Sequence, residues 1–181
     1  MPSPTAALLI RPSADEDLPA IQAIYQHAVL HGTGTFETEP PDVAEMGRRR
    51  QEVLGRRLPW LVAESQGQVL GYAYANFFRP RLAYRFCVED SIYLHPDSQG
   101  RGVGRLLLAE LLARCEAAGA RQMVAVIGDS NNAGSIGVHT AMGFQHTGVL
   151  KNSGWKFGRW LDVVMMQRQL GEGAQSNPEA A

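Results

Sequence analysis

Cysteine is scarce in this 181-residue chain, which has only Cys87 and Cys115. Their spacing builds neither a Cys-x-x-Cys pair nor a disulfide framework, so reduced thiols in a cytoplasmic protein are expected. An excess of positive charge is also lacking: 17 Lys and Arg against 18 Asp and Glu give a formal net charge of −1. That balance offers no electrostatic footprint for nucleic acid or an anionic membrane, and neither is expected as a partner. No apolar run approaches the roughly 20 residues of a membrane-spanning helix. Met1-Pro2-Ser3-Pro4-Thr5 has neither a basic n-region nor a long apolar h-region, so no leader is expected. Repeats and a second domain are missing as well.

What is present suits one globular domain: 45% of the residues are hydrophobic, and the length is enough to bury a core. Strand-like and helix-like segments alternate, which predicts an α/β or α+β layer fold. Leu8-Leu9-Ile10-Arg11 reads as a first strand, with Ser13 as the N-cap of a helix ending near Gly32. A Gly-, Thr- and Pro-rich loop over 32–41 precedes a polar helix over 42–57. The arginines of that helix, Arg48, Arg49, Arg50, Arg56 and Arg57, form either a solvated face or a phosphate contact. Strands follow at 60–64, 69–78 and 86–94, a helix at 103–118, a strand at 123–127, a helix ending at Met142, and closing strands at 144–150 and 160–170. The polar tail from Gly171 to Ala181 is expected to be disordered.

The richest segment is Gln99-Gly100-Arg101-Gly102-Val103-Gly104, between the strand Ser91-Ile92-Tyr93-Leu94 and an apolar helix pattern. A glycine loop at a helix N-terminus lets backbone N–H groups and the helix dipole meet a pyrophosphate without interference from Cβ atoms. Gly104-Arg105-Leu106 lacks the Gly-Lys-Ser/Thr of a P-loop, and the Gly100-x-Gly102-x-Gly104 spacing does not fit a dinucleotide fingerprint.

Gln99-x-x-Gly102-x-Gly104, followed by Asn132-x-x-Ser135-x-x-x-His139-x-x-x-Gly143-Phe144, resembles the ordered motifs of the GNAT acetyltransferase superfamily. The segments 83–93, 124–128 and 154–163, with Phe36-Glu37-Thr38-Glu39-Pro40 and Pro59-Trp60-Leu61-Val62-Ala63-Glu64, are similar to the phosphinothricin N-acetyltransferase family. That family includes relatives acting on methionine sulfone and sulfoximine. The resemblance covers about residues 8–170. It implies an acyl-CoA N-acyltransferase fold over residues 1–170, a mixed sheet of about seven strands flanked by about four helices. It further implies acetyl-CoA as co-substrate, no metal, a small amino-acid-like acceptor and a homodimer.

Attack on a thioester needs a neutral amine, so an acceptor's ammonium must lose a proton, and a partly buried carboxylate can take it. Glu89 matches the family's catalytic glutamate; on its residues alone it reads rather as a strand-end carboxylate paired with Arg85 or another cation. The resemblance also places the backbone of Ile92, Tyr93 and Leu94 beside the pantetheine, with an oxyanion donor around Leu94. It places Gln99, Gly100, Arg101, Gly102, Val103, Gly104 and Arg105 at the pyrophosphate, and Asn132 on the cofactor. His139 stands where the wider superfamily commonly has tyrosine, and either donates a proton to the leaving thiolate or orients its neighbours.

On the acceptor side, Arg79 and Arg81 are the expected cations, with Tyr84 beside them and Phe36 as a wall. Trp155, Lys156 and Trp160 are open to core packing, a dimer contact or ligand contact. Cys87 lies on the face of Glu89, but without a basic partner an acetyl-cysteine route is not favoured. The competing readings are a peptide or protein amine acetyltransferase of the same fold and a non-catalytic acetyl-CoA-sensing module.

Overall fold

A seven-stranded mixed sheet organises the computed structural model, which describes residues 8–179. The N-terminal five residues weighed as a leader, and residues 180–181 of the tail, lie outside the described residues. The strands are β1 (Leu9–Pro12), β2 (Trp60–Ser65), β3 (Gln68–Phe77), β4 (Cys87–Leu94), β5 (Gln122–Gly128), β6 (Gln145–Lys156) and β7 (Arg159–Gln169). Their order across the sheet is β1-β2-β3-β4-β5-β7-β6, and β4–β5 is the parallel pair. Four helices cover it: α1 (Leu18–His31), α2 (Val43–Gly55), α3 (Val103–Ala117) and α4 (Ala133–Ala141).

Side-chain alternation along β4 assigns the helices to faces. Tyr93 meets Tyr25 of α1 edge to face, with ring centroids 4.8 Å apart. Leu94 points the other way, against Gly104 at the start of α3. Glu89 therefore shares the α1 face with Tyr93, and Asp90 shares the α3 face with Leu94. Leu107, Leu108 and Leu111 of α3 are fully buried against the sheet, at 0% exposure each.

Two tight hairpins have both central residues at positive φ, as two-residue turns that follow the strand twist require. Gln66 and Gly67 (φ 54° and 77°) join β2 to β3; Phe157 and Gly158 (52° and 71°) join β6 to β7. The second turn explains a difference from the sequence reading, which stopped the first closing strand at Leu150. Register shifts between His146 and Gly148 and between Leu150 and Gly154 let β6 bulge and continue to Lys156.

Ser13 is not the cap of α1. A 3-10 turn, Asp15–Asp17, intervenes, and Ser13 instead accepts a 2.7 Å hydrogen bond from Arg50 Nε. Four of the five arginines singled out on and just after α2 bind acids: Arg48 and Arg49 bind Glu45, Arg49 also binds Glu37, Arg50 binds Asp15 and Arg56 binds Glu52, while Arg57 is exposed beyond the helix end. After β7 the tail runs as turns through residue 179. Arg121 donates to Ser176 Oγ at 3.0 Å, and Arg85 pairs with Glu179.

Candidate active site

The two parallel strands part company in mid-course. β4 and β5 pair only from Cys87↔Gln122 to Asp90↔Ala125. Beyond that point β4 stays with β3 as far as Leu94↔Gly71, and β5 stays with β7 as far as Gly128↔Val163. The result is a wedge whose β4 side is the backbone of Ser91, Ile92, Tyr93 and Leu94, where the polar groups not used in pairing with β3 face the gap. An extended, amide-bearing chain such as pantetheine can add there as a surrogate strand.

At the open end of the wedge the chain turns through the glycine loop into α3. Gly100 and Gly102 take positive φ (70° and 82°), which an L side chain tolerates poorly, and Gly102 is the left-handed N-cap of α3. A Cβ on either would meet no atom within 4 Å, so the loop keeps open space above its backbone. Gln99, Gly100, Arg101, Gly102 and Arg105 are exposed, while Val103 and Gly104 are buried under the helix. The loop has the bare N–H groups and cations that a pyrophosphate needs.

Asn132 caps α4: its Oδ1 accepts from Ser135 N at 3.2 Å, and its Nδ2 donates to Gly128 O at 3.4 Å. The amide is thus fixed beside the end of β5, with a second N–H left over for a ligand.

Glu89 is half-buried on the α1 face and belongs to no ion pair among the described residues. Burial pushes its carboxyl above the ordinary range, opposed by the charge of Arg79 and reinforced by Asp90. Arg85 is not its partner; that guanidinium is turned to Leu82 O and Glu179. Arg79 lies 4.1 Å from the Phe78 ring centroid, and Tyr84 meets the same ring at 5.9 Å. Arg79 and Tyr84, both exposed, therefore cluster on the half-buried Phe78 ring, while Arg81 is an exposed neighbour in the chain. Burial raises the Cys87 thiol, which makes it a poor nucleophile.

His139 is 3% exposed and both its nitrogens are engaged. Nδ1 lies 2.7 Å from Ser135 O and Nε2 lies 2.9 Å from Asp90 Oδ2. A carbonyl can only accept, so Nδ1 carries a proton; a second proton lies between Nε2 and the carboxylate. The imidazole has no free nitrogen to offer a thiolate, which favours the orienting role over proton donation.

Phe36 comes from the loop between α1 and α2, and its ring fits against two glycines. A Cβ on Gly128 would come within 2.9 Å of the ring, and one on Gly154 within 2.3 Å. Lys156 reaches the same loop, donating to Gly32 O and Thr35 O at 2.9 and 2.8 Å. Reading the sequence singled out Phe36 but not its glycine seats, nor Asp90. The visible signals were Gly128 ending an apolar strand and an acid directly following Glu89.

Among the described residues no group of three or more His, Cys, Asp or Glu is placed to hold a metal ion, and no helix is long and apolar enough to cross a membrane.

This fold and wedge define an acyl-CoA-dependent transferase, and the GNAT acetyltransferase family profile matches residues 21–144. The chain belongs to the GNAT acetyltransferase family, with acetyl-CoA as its co-substrate. It is 55% identical over 173 residues to phosphinothricin N-acetyltransferase of Alcaligenes faecalis, covering 96% of this chain and 88% of that one. It is 41% identical over 162 residues to the L-methionine sulfoximine/L-methionine sulfone acetyltransferase of Pseudomonas aeruginosa, covering 89% and 94%. A crystal structure of a GNAT phosphinothricin acetyltransferase from Sinorhizobium meliloti in complex with acetyl-CoA superposes with a TM-score of 0.92. Its sequence is 49% identical, with 94% and 92% of the two chains covered.

Proposed function

We propose that this enzyme acetylates the α-amine of a small amino acid or analogue of the phosphinothricin, methionine sulfone or methionine sulfoximine type. The observation that carries this reading is Glu89: a half-buried carboxyl raised by its surroundings, one residue before the β4–β5 pairing ends and under the charge of Arg79. A base of this kind accepts the ammonium proton near neutrality while the acceptor lies beside the wedge. The names of the Alcaligenes and Pseudomonas relatives supply the acceptor class.

The thioester supplies the activated acetyl group, and the chain's residues bind, orient and deprotonate. The backbone of Ile92, Tyr93 and Leu94 aligns the pantetheine, with an N–H near Leu94 as oxyanion donor. The loop from Gln99 to Arg105 holds the pyrophosphate, and the spare N–H of Asn132 joins it. Arg79 and Arg81 bind the acceptor's anionic oxygens, with Tyr84 and Phe36 as walls. His139 supports the wedge from behind through Asp90.

The functional unit is a homodimer through the β6–β7 hairpin. That hairpin leaves Leu150, Trp155, Phe157 and Trp160 between 54% and 59% exposed, an apolar surface that a second copy would cover.

The test is release of free CoA from acetyl-CoA with phosphinothricin, methionine sulfone, methionine sulfoximine, the proteinogenic amino acids and several peptides. Saturable turnover on the analogues with little on peptides is the expected outcome. Turnover confined to peptides, or none on any acceptor with acetyl-CoA bound, would overturn the reading in favour of a protein acetyltransferase or a sensor.

A further inference from the structure

Lys151 and Lys156 are the lysines of this chain, and they stand in opposite environments. The side chain of Lys151 is 71% exposed, whereas Lys156 is 4% exposed although its neighbours Trp155 and Phe157 are 58% and 54% exposed. At the end of the hairpin, alternation turns this one cation inward.

Its ammonium is spent on backbone. Nζ donates to Gly32 O at 2.9 Å and Thr35 O at 2.8 Å, carbonyls 124 and 121 residues away in sequence. Gly32 is the residue at which α1 ends, where a cation also complements the helix dipole. Burial draws the Lys156 ammonium below its ordinary range, partly offset by the charge of Glu37. A buried cation at this cost is tolerated when it satisfies polar groups that would otherwise be orphaned.

The residues on each side of Phe36 are held as well. Thr35 Oγ1 lies 2.9 Å from Tyr25 OH and accepts from Glu37 N at 3.2 Å. Glu37 accepts from Tyr25 OH at 2.7 Å and from Arg49 Nη1 at 2.6 Å. Between these anchors the Phe36 ring drops into the notch of Gly128 and Gly154, where any Cβ would displace it. Lys156 and Gly154 belong to the same strand, so β6 supplies both the clamp on the loop and half of the seat for its ring.

We propose that Lys156 is a positioning residue for acceptor selectivity: by clamping the loop from Gly32 to Thr35 it fixes Phe36 as a rigid wall of the acceptor site. The inference rests on the acceptor reading given above and specifies what limits acceptor size at that site. The hydrogen bonds of Lys156 go to Gly32 and Thr35 and to none of the residues assigned to acetyl-CoA, so its effect is expected on one substrate.

The experiment compares wild type, Lys156→Met, Gly154→Ala, Phe36→Ala and the double variant Lys156→Met/Phe36→Ala. Steady-state kinetics with methionine sulfone and with phenylalanine as a bulky competitor are measured, together with acetyl-CoA affinity by calorimetry. Lys156→Met and Gly154→Ala are expected to raise the methionine sulfone KM about tenfold or more and to narrow its advantage over phenylalanine. Acetyl-CoA affinity stays within about twofold in both. Lys156→Met is expected to add little once Phe36 is gone, because the two act through one wall. Gly154→Ala keeps the ammonium, so it carries the test if Lys156→Met fails to fold. Unchanged selectivity in the folded variants, additive effects in the double variant, or equal losses for both substrates would overturn the clamp while leaving the acceptor reading standing. A wild type silent on every amino acid would overturn both.

Discussion

The carboxylate of Asp90 and the imidazole of His139 meet at 2.9 Å, with side chains only 2% and 4% exposed, at the last residue pair before β4 and β5 separate. The bond ties β4 to α4 across the back of the wedge. Adjacent acids on one strand thereby take different parts: Asp90 is bound inside the α3 face, and Glu89 lies on the α1 face without an ion partner among the described residues.

Removing one member of that bridge leaves the other buried without its counterpart. Asp90→Ala is expected to lower unfolding stability by about 3 kcal/mol, read from urea denaturation. Burial opposes a charged His139, but the hydrogen bond and charge of Asp90 and the Ser135 carbonyl outweigh it, so its pKa is raised. The stabilisation is therefore complete below about pH 6.5 and is lost as pH rises through the higher folded value. The stability gap between wild type and Asp90→Asn should narrow on going alkaline.

Glu89→Gln is expected to cut kcat/KM about 100-fold or more, with acetyl-CoA affinity unchanged by calorimetry. The acidic limb of the wild-type kcat/KM profile should lie above the ordinary carboxyl value of 4.5, because burial raises Glu89. Arg79 holds that value down, so Arg79→Gln should move the limb to higher pH. A limb that stays put in Arg79→Gln would remove the arginine from the site.

Gly102→Ala isolates the conformational role of the phosphate loop. Nothing lies within 4 Å of the added Cβ, so the penalty comes from φ 82° alone and amounts to about 1–2 kcal/mol. The expected readout is a raised acetyl-CoA KM with the acceptor KM preserved.

Trp155→Glu together with Trp160→Glu places two charges where ring centroids now meet at 5.2 Å. Sedimentation velocity is expected to show a monomer, against a wild-type dimer. A wild type that sediments as a monomer would remove the second copy from the proposal.

The glycine loop, the strand carrying Glu89 and the helix capped by Asn132 were legible because each depends on neighbours in sequence. Contacts closed by the fold were not. His139 and Asp90 are 49 residues apart, and their pairing leaves no local pattern. Lys156 was visible as a motif residue, but its acceptors are backbone carbonyls, which every residue possesses and no sequence marks. The arginines around α2 were read as a solvated face or a phosphate contact, and their ion pairs with Glu45 and Glu52 form only once a helix brings (i, i+3) and (i, i+4) side chains together. The second hairpin was cut short because Phe157 is an unusual residue for a positive φ.

The short seam from Cys87–Asp90 to Gln122–Ala125 makes the sheet resemble a book with a narrow spine, four strands on one cover and three on the other. A bound pantetheine arm would lengthen that spine, adding backbone bonds that local opening must break. Ligand at 100 times its Kd contributes about 2.7 kcal/mol by mass action. With the arm and not the acetyl group in the seam, CoA and acetyl-CoA are expected to protect residues 91–94 from hydrogen exchange alike. The resistance of the folded enzyme to unfolding would then follow the total CoA pool, whatever fraction of it is acetylated.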